Sequence, residues 1–269
     1  MLRLPAVAGQ FYPGNPNELS ALVEKYTSHP EPRNRLKARA CLVPHAGYIY
    51  SGAVAGAVFS TISLSRRILL LGVRHYPRGE DLAILSEGAW RTPLGDVPID
   101  APLAARLRAE CPGLQEDAIA HSREHSLEVE LPFLQVLDPG FSFVPLAVGT
   151  LRFEELVETG EGIAKVLAES PDEILIVTSS DMNHYEDDET TRRKDRLAID
   201  CLLRLDPRSL YQTCRDKNIT MCGLGPAITM LTAVRCLGGE KGELMRYATS
   251  GDVSGDRDAV VGYAGMTFA

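Results

Sequence analysis

Three histidines, an aspartate and a cysteine stand in short polar stretches that come directly after apolar runs or turn signals. The stretches are Pro44-His45-Ala46-Gly47-Tyr48, Gly72-Val73-Arg74-His75, Ser179-Ser180-Asp181-Met182-Asn183-His184 and Met221-Cys222-Gly223. Imidazole and thiolate donors together suit a transition metal better than magnesium or calcium. The same groups could move protons, because neutral imidazole accepts one near physiological pH and a carboxylate can fix its tautomer. Cys222 precedes Gly223, Gly225 and Pro226, which read as a turn leading into a helix. A thiol just before a helix N-terminus ionises more readily, and the thiolate is the metal-binding or nucleophilic form.

Each residue also has a plainer reading. Pro44 holds the residue before it extended, and Gly47 permits a tight turn or a close ligand approach. A lone histidine in such a loop is more often just hydrogen-bonded there, but the pattern recurs at His75. Arg74 could hold a carboxylate or phosphate, or be a solvated surface residue. Asp181 and His184 lie three apart. If Asp181 caps a helix the two share a face, as base, ligand or ligand with its orienter; otherwise they are a cap and an exposed histidine. Tyr48 is expected to line the pocket. His125 could form a pocket wall, with Glu128 one turn later to pair with it. Glu186-Asp187-Asp188-Glu189 reads as a solvated acidic turn. His29 and His121 lack comparable context and are expected at the surface.

The elements that position these residues are legible as alternation. Ala40-Cys41-Leu42-Val43, Ile68-Leu69-Leu70-Leu71 and Ile174-Leu175-Ile176-Val177 read as buried parallel strands, and further strands are expected at Leu82–Leu85, Ser142–Val148, Met245–Thr249 and Val260–Phe268. Helical spacing covers Asn17–Tyr26, Gly52–Ile62, Pro102–Glu110, Glu124–Leu137, Phe153–Ala168, Thr190–Leu205 and Gly225–Leu237. Strands alternating with helices predict an α/β three-layer sandwich with a mixed, largely parallel central sheet. In such a sheet ligands bind at the carboxyl ends of the strands, where all these residues stand. The short link from Ser250 to Asp256 predicts an antiparallel pair for the last two strands. His29-Pro30-Glu31-Pro32 reads as a surface connection, and residues 1–269 are expected to form a single domain.

The chain has 269 residues, 45% of them hydrophobic, and a formal net charge of −8. That balance, with no basic run, speaks against nucleic-acid binding. No stretch approaches the ~18 apolar residues of a membrane span. The first ten residues hold no sustained apolar segment, so a signal peptide is not expected, and a cytoplasmic location is. Six cysteines occur without a Cys-x-x-Cys pair, and all but Cys222 are read as buried, reduced core thiols.

The motifs taken in order resemble the Memo family, which includes the AmmeMemoRadiSam system protein B of bacteria and archaea. The resemblance rests on Arg3-Leu4-Pro5-Ala6-Val7-Ala8-Gly9-Gln10-Phe11-Tyr12-Pro13, Val43-Pro44-His45-Ala46-Gly47-Tyr48, Arg91-Thr92-Pro93-Leu94-Gly95, Glu124-His125-Ser126-Leu127-Glu128, Ser179-Ser180-Asp181 with His184, and Cys222-Gly223. One departure is Gly72-Val73-Arg74-His75, where relatives more often carry proline and a small polar residue before the histidine. That family is similar in fold to the catalytic subunit of class III extradiol dioxygenases. The resemblance implies His45, His75 and Cys222 as metal ligands and His184 at the place of the dioxygenase base. Cys222 stands where those enzymes carry a carboxylate, which favours softer metals, copper included. The expectation is a metal-dependent redox protein using iron or copper, with zinc as a possible substitute. Asp181 and His184 would handle protons, while Tyr48, Arg74 and His125 would meet a small-molecule or peptide substrate. The family name implies an AMMECR-type protein and a radical SAM enzyme as partners. The alternatives are a binding module for an anionic or phosphotyrosine-containing peptide, and a cysteine hydrolase pairing Cys222 with His184.

Overall fold

The structure, a computed structural model, describes residues 1–28 and 35–269. In chain order the first elements are β1 (Leu2–Arg3), α1 (Pro16–Thr27), β2 (Ala40–Val43), α2 (Tyr48–Phe59), β3 (Arg67–Val73), β4 (Leu82–Ile84), β5 (Ala89–Thr92) and β6 (Gly95–Pro98). Then come α3 (Ala101–Glu110), β7 (Gln115–Glu116), α4 (Ala118–Ser122), α5 (Leu131–Leu137), β8 (Ser142–Val148), α6 (Phe153–Ala168) and β9 (Ile174–Ser179). The chain finishes through β10 (His184–Glu186), α7 (Asp188–Leu203), α8 (Pro207–Asp216), α9 (Leu224–Cys236), β11 (Gly242–Thr249), α10 (Gly251–Ser254) and β12 (Val260–Phe268).

The central sheet runs β10-β12-β2-β9-β3-β8-β4-β7, with β11 also paired to β12. Its middle, β2-β9-β3-β8, is parallel, while β4 and β12 join it antiparallel. The expected mixed, largely parallel sheet is therefore present. Because side chains alternate across a strand, the unbroken apolar runs feed two cores. Leu69, Leu71 and Ile176 pack with α3, α6 and α9 on one face. Ile68, Leu70 and Val177 pack with α1, α2 and α5 on the other. The result is a helix–sheet–helix sandwich, with a small second sheet ordered β1-β5-β6 at its flank. Among the described residues no helix is long and apolar enough to cross a membrane.

Several local expectations are revised. The helix expected over Glu124–Leu137 is a loop, a 3-10 turn at Glu128–Glu130 and then α5. The reason is polar: Glu124, Glu128 and Glu130 are all buried, and their carboxyls bind groups distant in sequence instead of facing water. The Glu186–Glu189 stretch is structured: Glu186 meets Lys194, Asp187 caps α7, and Asp188 pairs with Arg192 and Arg257. His121 is fully buried beside Trp90. Cys236 is exposed, whereas Cys41, Cys111, Cys201 and Cys214 are buried. The helix α8 is not among those expected, although Asp206 before Pro207 is a cap-and-proline start and Leu210 and Cys214 stand four apart on its buried face. His29 and its proline-rich neighbours lie outside the described residues.

Arg3 ties the amino-terminal motif to the loop before α5. Its guanidinium donates to Glu128 Oε2 at 2.5 Å, to the His121 carbonyl at 2.8 Å and to the Glu124 carbonyl at 2.6 Å. It also lies over the Trp90 ring at 4.0 Å. Glu128 further accepts the Ala6 and Val7 amides and the Tyr12 hydroxyl, at 2.7, 3.0 and 2.6 Å. Removing one member of a buried ion pair strands the other's charge in a medium that solvates it badly. Arg3→Met should therefore cost about 3–5 kcal/mol in urea unfolding. A loss below about 1 kcal/mol, the scale of an exposed pair, would show that this contact does not hold the loop.

Candidate metal centre

The cleft sits at the carboxyl end of the parallel strands and has a volume of about 650 Å³. His45 leaves β2, His75 follows β3, Asp181 follows β9, His184 opens β10, and Cys222 precedes α9. All five line the cleft, together with His125 from the loop before α5. Phe11, Tyr185, Val261 and Tyr263 add apolar and aromatic lining, with the Phe11 ring against His125 at 4.8 Å and Tyr185 beside His184 at 5.6 Å. Phe11 arrives because its carbonyl accepts the Tyr48 amide at 2.8 Å, which ties the amino-terminal motif to the start of α2.

His45, His75 and His125 bring one ligand atom each to within 4.8 Å of one another, so this group could hold a metal ion. The His75 and His125 rings stack at 4.6 Å, and His45 meets His75 edge-on at 5.1 Å. Cys222 adjoins the group, its Sγ 3.3 Å from His45 Nε2. Burial holds the His45 and His125 imidazoles below their ordinary range, and the neighbouring His75 lowers them further, so they stay neutral and able to ligate. Burial also pushes the Cys222 thiol up, helped by the charge of Asp181. Without a cation the sulfur is therefore a thiol.

Hydrogen bonds aim the rings. Glu124 accepts the His75 amide at 2.7 Å, His75 Nδ1 at 2.8 Å and the Ser126 amide at 2.8 Å. Burial opposes ionisation of Glu124, but the hydrogen bond and charge of His75, the Ser126 amide and His125 together outweigh it and draw its carboxyl down to about 2. Nδ1 of His75 therefore carries the hydrogen, and Nε2 is left as the donor atom. His184 donates from Nδ1 to the Thr220 carbonyl at 3.0 Å, since a carbonyl only accepts, and burial keeps the ring neutral. Nε2 is then the basic nitrogen of the ring, which the Met182 backbone also contacts. Asp181 accepts the His45 amide at 2.9 Å, and its own amide donates to Cys222 Sγ at 3.2 Å. Burial raises its carboxyl to about 7. Asp181 does not cap a helix: that place is taken by Asp187 before α7.

Two residues expected in the pocket stand elsewhere. The Tyr48 hydroxyl donates to the Val129 carbonyl at 2.5 Å, and its ring packs on Phe133, because α2 starts early enough to turn this residue into the core. Arg74 pairs with Asp81 at 2.7 Å and does not line the cleft. Two groups were not anticipated, Glu124 and the Ser179 hydroxyl behind His45. For Glu124 the available signal was its place in the motif Glu124-His125-Ser126-Leu127-Glu128.

The family model described as Memo-like protein matches residues 3–267. A MEMO1 family protein of Methanopyrus kandleri is 39% identical over 100% of this chain and 99% of its own. Another, of Aquifex aeolicus, is 41% identical over 99% of each chain. The crystal structure of an uncharacterized protein from Escherichia coli K12 superposes with a TM-score of 0.54 at 14% identity, covering 84% of this chain and 99% of that one, a likeness of fold alone. With a family match across nearly its whole length and relatives this similar end to end, the chain belongs to the Memo family.

Proposed function

We propose that this protein is a metal-dependent redox protein whose cleft binds iron or copper. One observation carries the reading: the three mutually close histidine donors at the strand ends, with His75 aimed by Glu124. His45, His75 and His125 would hold the ion, and Cys222 beside them would add a soft donor that favours copper. When bound, iron or copper supplies one-electron redox chemistry. His184 would accept a proton at Nε2, and Asp181, raised by burial to about 7, could hold or release one near neutrality. The aromatic lining would pack the apolar part of a substrate and exclude water from it. AMMECR-type and radical SAM proteins remain the partners we propose from the family relationship.

The competing readings have less support. Among the described residues no lysine or arginine lines the cleft, and Arg74 is committed to Asp81, which leaves an anionic or phosphotyrosine-containing peptide without a lysine or arginine partner among them. A cysteine hydrolase needs its thiol activated by the base, yet Cys222 Sγ faces His45 Nε2 and its proton is held on by burial.

Three outcomes are expected. Metal analysis and titration of protein purified without oxygen should give Glu124→Gln an affinity roughly 10–100-fold weaker than wild type, because His75 loses the carboxylate that orients it. An unchanged affinity would remove His75 from the centre. Cys222→Ser should keep the fold but lose copper(I) affinity, a hydroxyl being a poor ligand for a soft ion; equal copper content in the two proteins, measured side by side, would leave Cys222 with a structural role only. His184→Ala should retain metal while metal-dependent oxygen consumption falls by ~10²–10⁴, the usual cost of losing a general base. Turnover at the wild-type rate would reassign the proton-handling role.

A further inference from the structure

Behind His45, on the side away from the cleft, lies a polar chain that the proposed chemistry leaves unused. His45 Nδ1 is 2.7 Å from Ser179 Oγ, and Ser179 Oγ is 3.0 Å from Glu130 Oε1. Glu130 is fully buried, and its Oε2 has no hydrogen-bond partner among the described residues. The titratable groups that face it are Cys41 on β2, Tyr48 on α2 and Asp181 after β9. None of them is a cation. A carboxylate in this place would be a buried charge without a counter-charge, so the group stays protonated. Burial pushes its carboxyl well up and the charge of Asp181 adds to this, while the Ser179 hydrogen bond only partly opposes it.

We infer that Glu130 and Ser179 are a proton relay that fits His45 for a cation: when the cleft is loaded, the Glu130 acid proton passes through the Ser179 hydroxyl to His45 Nδ1, and the carboxylate left behind balances the ion. The inference rests on the metal reading of the cleft. In the empty site the Glu130 O–H donates to Ser179 Oγ, and the Ser179 O–H donates to His45 Nδ1. The imidazole hydrogen then sits on Nε2, 3.3 Å from Cys222 Sγ. An ion taking the Nε2 lone pair displaces that hydrogen to solvent as a proton. Ser179 gives its hydrogen to Nδ1 and takes the one from Glu130. The Glu130 O–H and original Ser179 O–H bonds break, while a new Ser179 O–H and the His45 Nδ1–H form. No electrons are transferred between groups. One proton leaves the protein, His45 remains a neutral ligand, and Glu130 becomes the counter-ion. With Ser179 as the bridge, Glu130 is a positioning residue that acts on the centre without touching it.

Zinc, which is redox-silent, is the probe. The full-length protein, stripped of metal, is titrated with zinc by calorimetry and followed by infrared difference spectroscopy. The wild type should lose a carboxylic-acid C=O band and gain carboxylate bands on loading. Glu130→Gln should show no such loss and bind zinc roughly tenfold to a hundredfold more weakly. Ser179→Ala leaves Glu130 in place but cuts the bridge, so its acid band should survive loading; it carries the comparison if Glu130→Gln fails to fold. An acid band that persists in zinc-saturated wild type, or an equal loss in Glu130→Gln (which would assign the band to Asp181), overturns the relay alone. A wild type that binds no zinc overturns the relay, and one that in the same titration binds no iron(II) or copper either overturns the metal reading with it.

Discussion

The site depends on a buried ion pair that takes no part in its chemistry. Arg3 and Glu128 meet at 2.5 Å with side chains 4% and 0% exposed, and their contact closes the gap between the start of the chain and the loop before α5. Through its carbonyl contacts to His121 and Glu124, the same guanidinium sets the path of the loop that delivers Glu124 and His125. That loop has no regular helix to define it. A buried ion pair gives little net stability, because desolvation offsets much of the attraction, but it punishes any arrangement that separates the partners. Here the penalty is turned to shape: the loop has one well-satisfied position, and His125 in the cleft and the Glu124 carboxylate behind His75 come with it.

Glu124, Glu128 and Glu130 show how one residue type serves three purposes within seven positions. Glu124 takes three donors and aims a histidine. Glu128 takes four contacts from the amino-terminal segment, a guanidinium among them. Glu130 has a single hydroxyl for company. Their neighbours decide the outcome, since a buried carboxyl is anionic where hydrogen bonds or a cation hold the charge and neutral where they do not. The centre is thus flanked by one carboxylate fixed in place and one acid without a counter-charge.

The layer order and the sheet's parallel middle were readable from the sequence, because strands buried on both faces leave unbroken apolar runs such as Ile68–Leu71, and exits such as Pro44-His45-Ala46-Gly47 mark strand ends. That reading also took His45, His75, Asp181, His184 and Cys222 to one edge of the sheet, where they line a common cleft. What could not be read is direction. Tyr48 was placed by its sequence neighbours, yet a helix starting at that residue turns it inward. Arg74 adjoins His75 in sequence, but neighbouring side chains near a strand end point to opposite sides. The buried glutamates were hidden for a different reason. Acidic residues are almost always solvated, and a carboxyl's burial is decided by partners such as Arg3 and Ser179, far along the chain.

The position of β12 sets when this architecture can be completed during synthesis. β12 pairs with β2, β10 and β11, so the β2 edge of the parallel sheet stays uncovered until residues 260–268 have been made. Until then the ribosome-bound chain presents an apolar strand, Ala-Cys-Leu-Val, with one row of backbone groups unpaired. Such edges recruit other strands, which makes this interval the one most exposed to misassembly. The contact between Cys222 and His45 spans 177 residues and falls in the same late window. Capture of an ion by the three histidines and the thiol together therefore waits until residue 222 has been made, whereas the histidines alone are all present by residue 125.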